Sequence, residues 1–192
     1  MRLTRTSSMM ISALIITIIL AGCGVVATGV PSATNHARTA VPPEATYVIL
    51  QSDTGDFIGG GQAFTYTLAD THINVSAMRG HLSVTIVGDE RWSGDFQVPD
   101  SLKQLQPGYY GDLKRYPFHN PVKGGLNWSG EGRGSNKLTG WFAVDSVTYV
   151  KGVLAAIDLR FEQHSEGASP ALRGQIHWQG MRRGSETTPL LR

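Results

Sequence analysis

The chain has a single cysteine among its 192 residues, few charges and no strong excess of either sign. A lone cysteine excludes an intrachain disulfide and a cysteine-rich zinc site. Charged residues make up 17% of the chain, below the roughly 25% of an average soluble domain, so it is neither a charged tail nor a coiled coil. A net charge of +2 is too small to mark a nucleic-acid or acidic-polymer partner. The six histidines, at 36, 72, 81, 119, 164 and 177, show neither HxH nor HExxH spacing. No metal site and no cofactor is therefore expected. Also missing are an amphipathic helical repeat of ten or more residues and a G-x-S-x-G nucleophile elbow. No catalytic residue is assigned.

The lone cysteine sits in an informative place. Met1–Ser8 carries Arg2 and Arg5 and no acid, and Met9–Leu20 is apolar apart from Ser12 and Thr17. A basic segment followed by a 12-residue apolar one has signal-peptide form and is too short to span a bilayer as a helix. Leu20-Ala21-Gly22-Cys23 follows directly, and it resembles the lipobox of bacterial lipoproteins. That resemblance implies cleavage after residue 22 and acylation of Cys23, with two or three acyl chains for stable anchoring. Gly24 in the next position favours the outer membrane in a Gram-negative envelope. Removing Arg2 and Arg5 from the 17 basic side chains leaves 15, equal to the 15 acidic ones. The net charge therefore belongs to the targeting segment.

Residues 23–45 hold small residues and three prolines without periodicity, and read as a lipidated N-terminus and flexible tether. From Thr46 the pattern turns to short alternating runs separated by Gly, Pro, Asn and Asp, which reads as one all-β domain over 46–180. Residues 181–192 form a polar tail. Ser101–Gln106 is long enough for one turn.

Register can be proposed for two hairpins. A turn at Arg79-Gly80 sets Ala77, Val75 and Ile73 opposite Leu82, Val84 and Ile86, so that the apolar faces agree. A turn at Lys151-Gly152 joins Leu138–Val150 to Val153–His164 and sets Phe142 opposite Phe161 and Val144 opposite Leu159. It also sets Asp145 against Asp158, an unfavourable like-charge pair, which predicts a bulge or longer turn near Asp145–Tyr149. Further strands are expected at Thr46–Gln51, Gln62–Leu68, Arg91–Val98, Leu126–Ser129 and Ala171–Gln179. The expected architecture is an antiparallel two-sheet sandwich or jelly roll of about eight strands, with a closed β-barrel as the alternative. The 23 glycines read as turns.

Three segments carry a second resemblance: Leu50–Gly61 (LQSDTGDFIGGG), Gly132–Gly140 (GRGSNKLTG), and Phe161–Gly167 (FEQHSEG) with Pro170–Gly174 (PALRG). Together they are similar to a widespread group of exported bacterial all-β domains, often found beside immunoglobulin-like modules. In that group cysteine stands where this chain has Ser135 and Ser165. The resemblance thus implies a disulfide that this chain has lost. The hairpin register agrees, since it places Ser165 opposite Leu138, three residues from Ser135. Such a bridge would close a loop of about 30 residues and contribute about 3 kcal/mol.

Gln106–Gly125 shows no strand pattern and reads as a long loop carrying Tyr109, Tyr110, Arg115, Tyr116 and His119. Tyrosine faces stack on sugars and arginine pairs with carboxylate or phosphate, so these five residues are candidate ligand contacts. The competing reading is an aromatic plug over an open end of the domain. Arg133 and Asn136 lie in a Gly-rich connection that lacks the P-loop pattern, and read as backbone-bonding turn residues or as further ligand contacts. Asp53 and Asp56 flank Gly55 and read as an Asx-type turn rather than a calcium loop. The expectation is an exported, lipid-anchored binding or interaction module of the cell envelope, whose ligand is a glycan, peptidoglycan or another envelope protein. The alternatives are an accessory envelope lipoprotein without a dedicated ligand, or a hydrolase using Asp or Glu. The binding reading requires Tyr109, Tyr110 or Tyr116 to be exposed and coplanar.

Overall fold

The computed structural model describes residues 45–180. The expected signal peptide, Cys23, Gly24, the expected tether up to residue 44 and the polar tail lie outside them. Ten strands form: β1 (Tyr47–Ser52), β2 (Ala63–Thr67), β3 (His72–Met78), β4 (His81–Val87), β5 (Arg91–Gln97), β6 (Gly108–Arg115), β7 (Gly125–Gly130), β8 (Leu138–Val150), β9 (Val153–Ser165) and β10 (Ala171–Gln179). Among the described residues there is no helix.

The all-β expectation holds, but the two-sheet sandwich is replaced by a single sheet. Its order is β2-β1-β10-β9-β8-β6-β7-β5-β4-β3, and it curls until it nearly closes as a barrel, the alternative architecture. Every pairing is antiparallel except β6 with β7, where only Lys114–Gly125 and Arg115–Leu126 align, in parallel. Side chains join the edge strand β2 to the other half of the sheet. The Trp92 indole on β5 donates to the Tyr66 hydroxyl on β2 at 2.6 Å, and Phe64 packs edge-on against the same indole. Burial pushes the Tyr66 phenol pKa up, which keeps it a neutral partner for the indole.

Both proposed hairpin registers are observed, with Val75 opposite Val84 and Phe142 opposite Phe161. The bulge forms where the like charges would have met. Register shifts between Val144 and Ser146, so that Ser146 rather than Asp145 faces Asp158 and donates to it at 2.6 Å. Asp145 swings to the Arg160 guanidinium, which donates to both of its oxygens at 2.7 Å.

The tenth strand is the one hidden in the expected loop. β6 occupies Gly108–Arg115, so the segment 106–125 is not a structureless loop. A bulge at Gly111-Asp112, with Asp112 at φ +53°, separates the inward residues Tyr110 and Leu113 by three positions instead of two. That break erases the period-2 signal. Tyr110 points into the interior, 4.8 Å from the Phe142 ring centroid, and its hydroxyl donates to the Gln106 carbonyl. It is half-buried and packs against the core.

The interior holds Trp92, Trp128, Phe96, Phe142 and Phe161, all essentially sealed from solvent. Phe96 centres an aromatic cluster with Phe142 at 5.5 Å and Phe161 at 5.3 Å, and Trp128 stacks on Phe161 at 5.0 Å. Two glycines make room for it inside strands rather than in turns. A Cβ on Gly94 would lie 2.3 Å from the Trp128 ring, and one on Gly174 only 2.0 Å from Phe161. Large and small residues alternate across neighbouring strands, as a small barrel requires.

β7 runs beyond the end of β6, and the main-chain groups of Trp128 turn toward the interior instead of toward a strand. The fully buried side chain of Gln163 on β9 takes the missing strand's place. Its Oε1 accepts from the Trp128 N–H, and its Nε2 donates to the Trp128 carbonyl, both at 2.8 Å. A primary amide carries the same donor and acceptor as a peptide group, so it completes the ladder.

Candidate functional site

The three segments carrying the second resemblance converge at one end of the barrel. Asp53 and Ala171 exchange main-chain and side-chain hydrogen bonds of 2.9 and 3.0 Å. Ser135 and Ser165, both buried, share a hydrogen bond of 2.7 Å. The main-chain N–H groups of Asn136 and Lys137 donate to the Glu166 carboxylate. Asp56 is buried as the hub of an Asx-type turn, accepting from Ser52 Oγ and the Gly59 N–H at 2.7 Å each. Those two bonds reach Oδ2, and Oδ1 accepts from the Ile58 N–H at 3.4 Å, so both oxygens serve the loop. Glu131-Gly132 forms the tight turn with positive φ, closed by Gly130 and Arg133 bonding each other's main chains. Arg133 Nε is buried without a partner, and Asn136 contributes its main chain, so the side-chain-to-backbone role expected of Arg133 is not observed at Nε.

The seven sequence candidates do not form one site. Tyr116 stacks between His81 (4.5 Å) and His119 (5.4 Å), with interplanar angles of 10° and 20°, while Arg115 lies over the Phe118 ring at 5.1 Å. Arg133 and Asn136 belong to the Ser135–Ser165 end. Tyr110 packs half-buried against the core. Asn136 and Tyr109 are exposed, but of the three tyrosines only Tyr109 is, at 66% on the outer wall of β6, so they make no coplanar platform.

Tyr109 has company there that the loop reading missed. It lies 5.5 Å from the Trp141 ring of β8, with 34° between the planes. Trp141 heads a row set by register across three strands: Trp141 opposite Glu162, and Glu162 opposite Arg173. The Trp141 indole donates to Glu162 Oε1 at 3.3 Å, and Arg173 Nε donates to Glu162 Oε2 at 2.6 Å. Arg173 also donates to Asp53 Oδ1 at 2.7 Å, so one guanidinium ties two carboxylates together. His164 completes the group, its Nε2 3.2 Å from Glu162 and its Nδ1 2.9 Å from the Ser169 carbonyl oxygen. The pair Trp141–Glu162 was readable from the hairpin register that set Phe142 opposite Phe161. Arg173 was not, because no two-residue turn fixes the pairing of β10.

The electrostatics of this wall are those of fixed charges. The hydrogen bond from Arg173, then that from the Ala171 N–H, holds the Asp53 carboxyl below the usual carboxylate range. Burial pushes Glu162 up, but the hydrogen bonds from His164, Arg173 and Trp141 and the Arg173 charge outweigh it and hold this carboxyl low as well. Both groups have folded pKa values below their unfolded ones. Their contribution to stability is thus present above about pH 4 and is lost as pH falls through the lowered values. Urea midpoints measured from about pH 5 to pH 2 are expected to fall more steeply for the parent chain than for Arg173→Met. Parallel curves would remove Arg173 as the cause.

Among the described residues no group of three or more His, Cys, Asp or Glu side chains is placed to hold a metal ion. No family model, no curated protein and no solved structure matches the chain.

Proposed function

We propose that the chain is an exported lipoprotein, anchored in the cell envelope through Cys23, and that its barrel is a binding module for an envelope glycan, peptidoglycan first. The observation that carries the ligand reading is the exposed Tyr109 ring set beside Trp141 on the same wall as the Glu162–Arg173 pair. Aromatic rings give apolar faces for sugar rings, and the carboxylate and guanidinium give oriented acceptors and donors for hydroxyl, amide or carboxylate groups. The lipobox residues Leu20–Cys23 support the anchor.

Binding is favoured over hydrolysis at this wall. General-acid glycoside hydrolysis requires one carboxyl of a pair with a raised pKa. Here Glu162 and Asp53 share one guanidinium, and both are held low.

Co-sedimentation of the full-length chain with peptidoglycan sacculi tests the reading. Trp141→Ala is expected to weaken capture about tenfold, the loss typical of an aromatic anchor. Tyr109→Ala should weaken it less, and Tyr116→Ala and Asn136→Ala should capture like the parent. Loss with Tyr116→Ala and none with Trp141→Ala would move the site to the His81–Tyr116–His119 stack. No capture by the parent chain would leave the accessory role.

A further inference from the structure

We propose that one end of the barrel docks on an anionic lipid surface. Four segments meet there. The Val98 N–H donates to the Gly80 carbonyl, joining the β3–β4 turn to the segment 98–107. The Asp100 N–H donates to the Pro121 carbonyl, joining that segment to residues 116–124. The Leu105 N–H donates to the Tyr149 hydroxyl, beside the β8–β9 tip.

The tips of these segments are apolar and open. Met78 is 72% exposed, Phe118 75%, Val122 78%, Val150 57% and Val153 69%. Between them stand the exposed cations Arg79, Lys103, Lys123 and Lys151, with Arg115 over Phe118. The acids at this end are Asp95, Asp100 and Asp112; Asp95 pairs with His81 at 3.0 Å and Lys123 with Asp112 at 3.1 Å. The opposite end has the reverse balance: Asp53, Asp56, Asp70, Asp89, Glu90, Glu131 and Glu166 outnumber Arg91, Arg133, Lys137 and Arg173, the last of which pairs with Asp53. Apolar tips among lysines and arginines match the boundary between acyl chains and acidic headgroups, and the acidic far end is repelled from it.

Only the attachment of the chain rests on the anchor reading; the apolar and basic surface stands apart from it.

The test uses the full-length chain with phosphatidylglycerol vesicles and with phosphatidylcholine vesicles. Flotation reports attachment, and amine acetylation read by mass spectrometry reports docking. Lys123 and Lys151 are expected to react about fivefold or more slowly on the anionic vesicles, with Lys137 unchanged, and the double variant Arg79→Glu/Lys103→Glu should abolish the protection. A chain that floats with both vesicles and reacts equally on both overturns docking alone. A chain that floats only with the anionic vesicles upholds docking and overturns the anchor. A chain that floats with neither overturns both.

Discussion

Gln163→Leu is expected to lower the melting temperature by on the order of 10–15 °C. Leucine keeps the volume but leaves the Trp128 N–H and carbonyl without partners in a site sealed from water. Each buried backbone group left unpaired costs about 1–3 kcal/mol, so the loss is about 4 kcal/mol, a large part of a typical domain's stability. Gln163→Glu separates hydrogen bonding from shape. A neutral carboxyl offers one donor and one acceptor, like the amide, whereas an ionised one offers acceptors only. Burial raises the folded pKa of that carboxyl above its unfolded value. The variant's stability relative to the parent should therefore be greatest below about pH 4 and decline as pH rises. Thermal melts of the two variants across pH check both statements, and a Gln163→Leu chain that melts with the parent would remove the amide's bridging role.

The double variant Ser135→Cys/Ser165→Cys is expected to act in the opposite direction. The two hydroxyls are 2.7 Å apart, buried, and 30 residues apart in the chain. A cystine across that span restricts the unfolded chain by about 3 kcal/mol, a rise in melting temperature on the order of 10 °C. Reduction should return the variant to the parent's melting temperature or below it, because the buried Ser–Ser hydrogen bond is then gone. Equal melts before and after reduction, with the bridge verified by mass spectrometry, would show that the positions meet only under strain. Oxidation should also expose the cost of extra thiols: a precursor with Cys23 still free has a third partner available for mispairing.

The hairpins were legible because two-residue turns and alternating apolar runs fix register without tertiary information, as at Arg79-Gly80 and Lys151-Gly152. The like-charge conflict at Asp145 announced its own bulge. β6 was not legible, since its bulge destroys the alternation that marks a strand. Nor was closure into one sheet, which depends on a two-residue parallel contact and on Trp92 reaching Tyr66 across the seam. Gln163 illustrates the same limit. Its position on the inward face of β9 could be counted from Phe161, but the gap it fills exists only once β7 outruns β6. Of the candidate site, Tyr109 was found for its chemistry. Its neighbours Trp141, Glu162 and Arg173 were overlooked because they sit on regular strands instead of in a loop.

The pairing of the first strand with the last governs the order of folding. Thr46 and Gln179 bond across 133 residues, and β1 has no neighbours other than β10 and β2. A chain that emerges amino end first presents β1 and β2 long before β10 exists to receive them. The β3–β4–β5 meander and the β8–β9 hairpin join near sequence neighbours and can assemble early, whereas the seam between β1 and β10 waits for the whole domain to emerge. Until then the strand Tyr47–Ser52 can pair with β2 on one edge, and the edge that β10 will cover stays open. For an exported chain that interval is the one in which a holding chaperone would matter most.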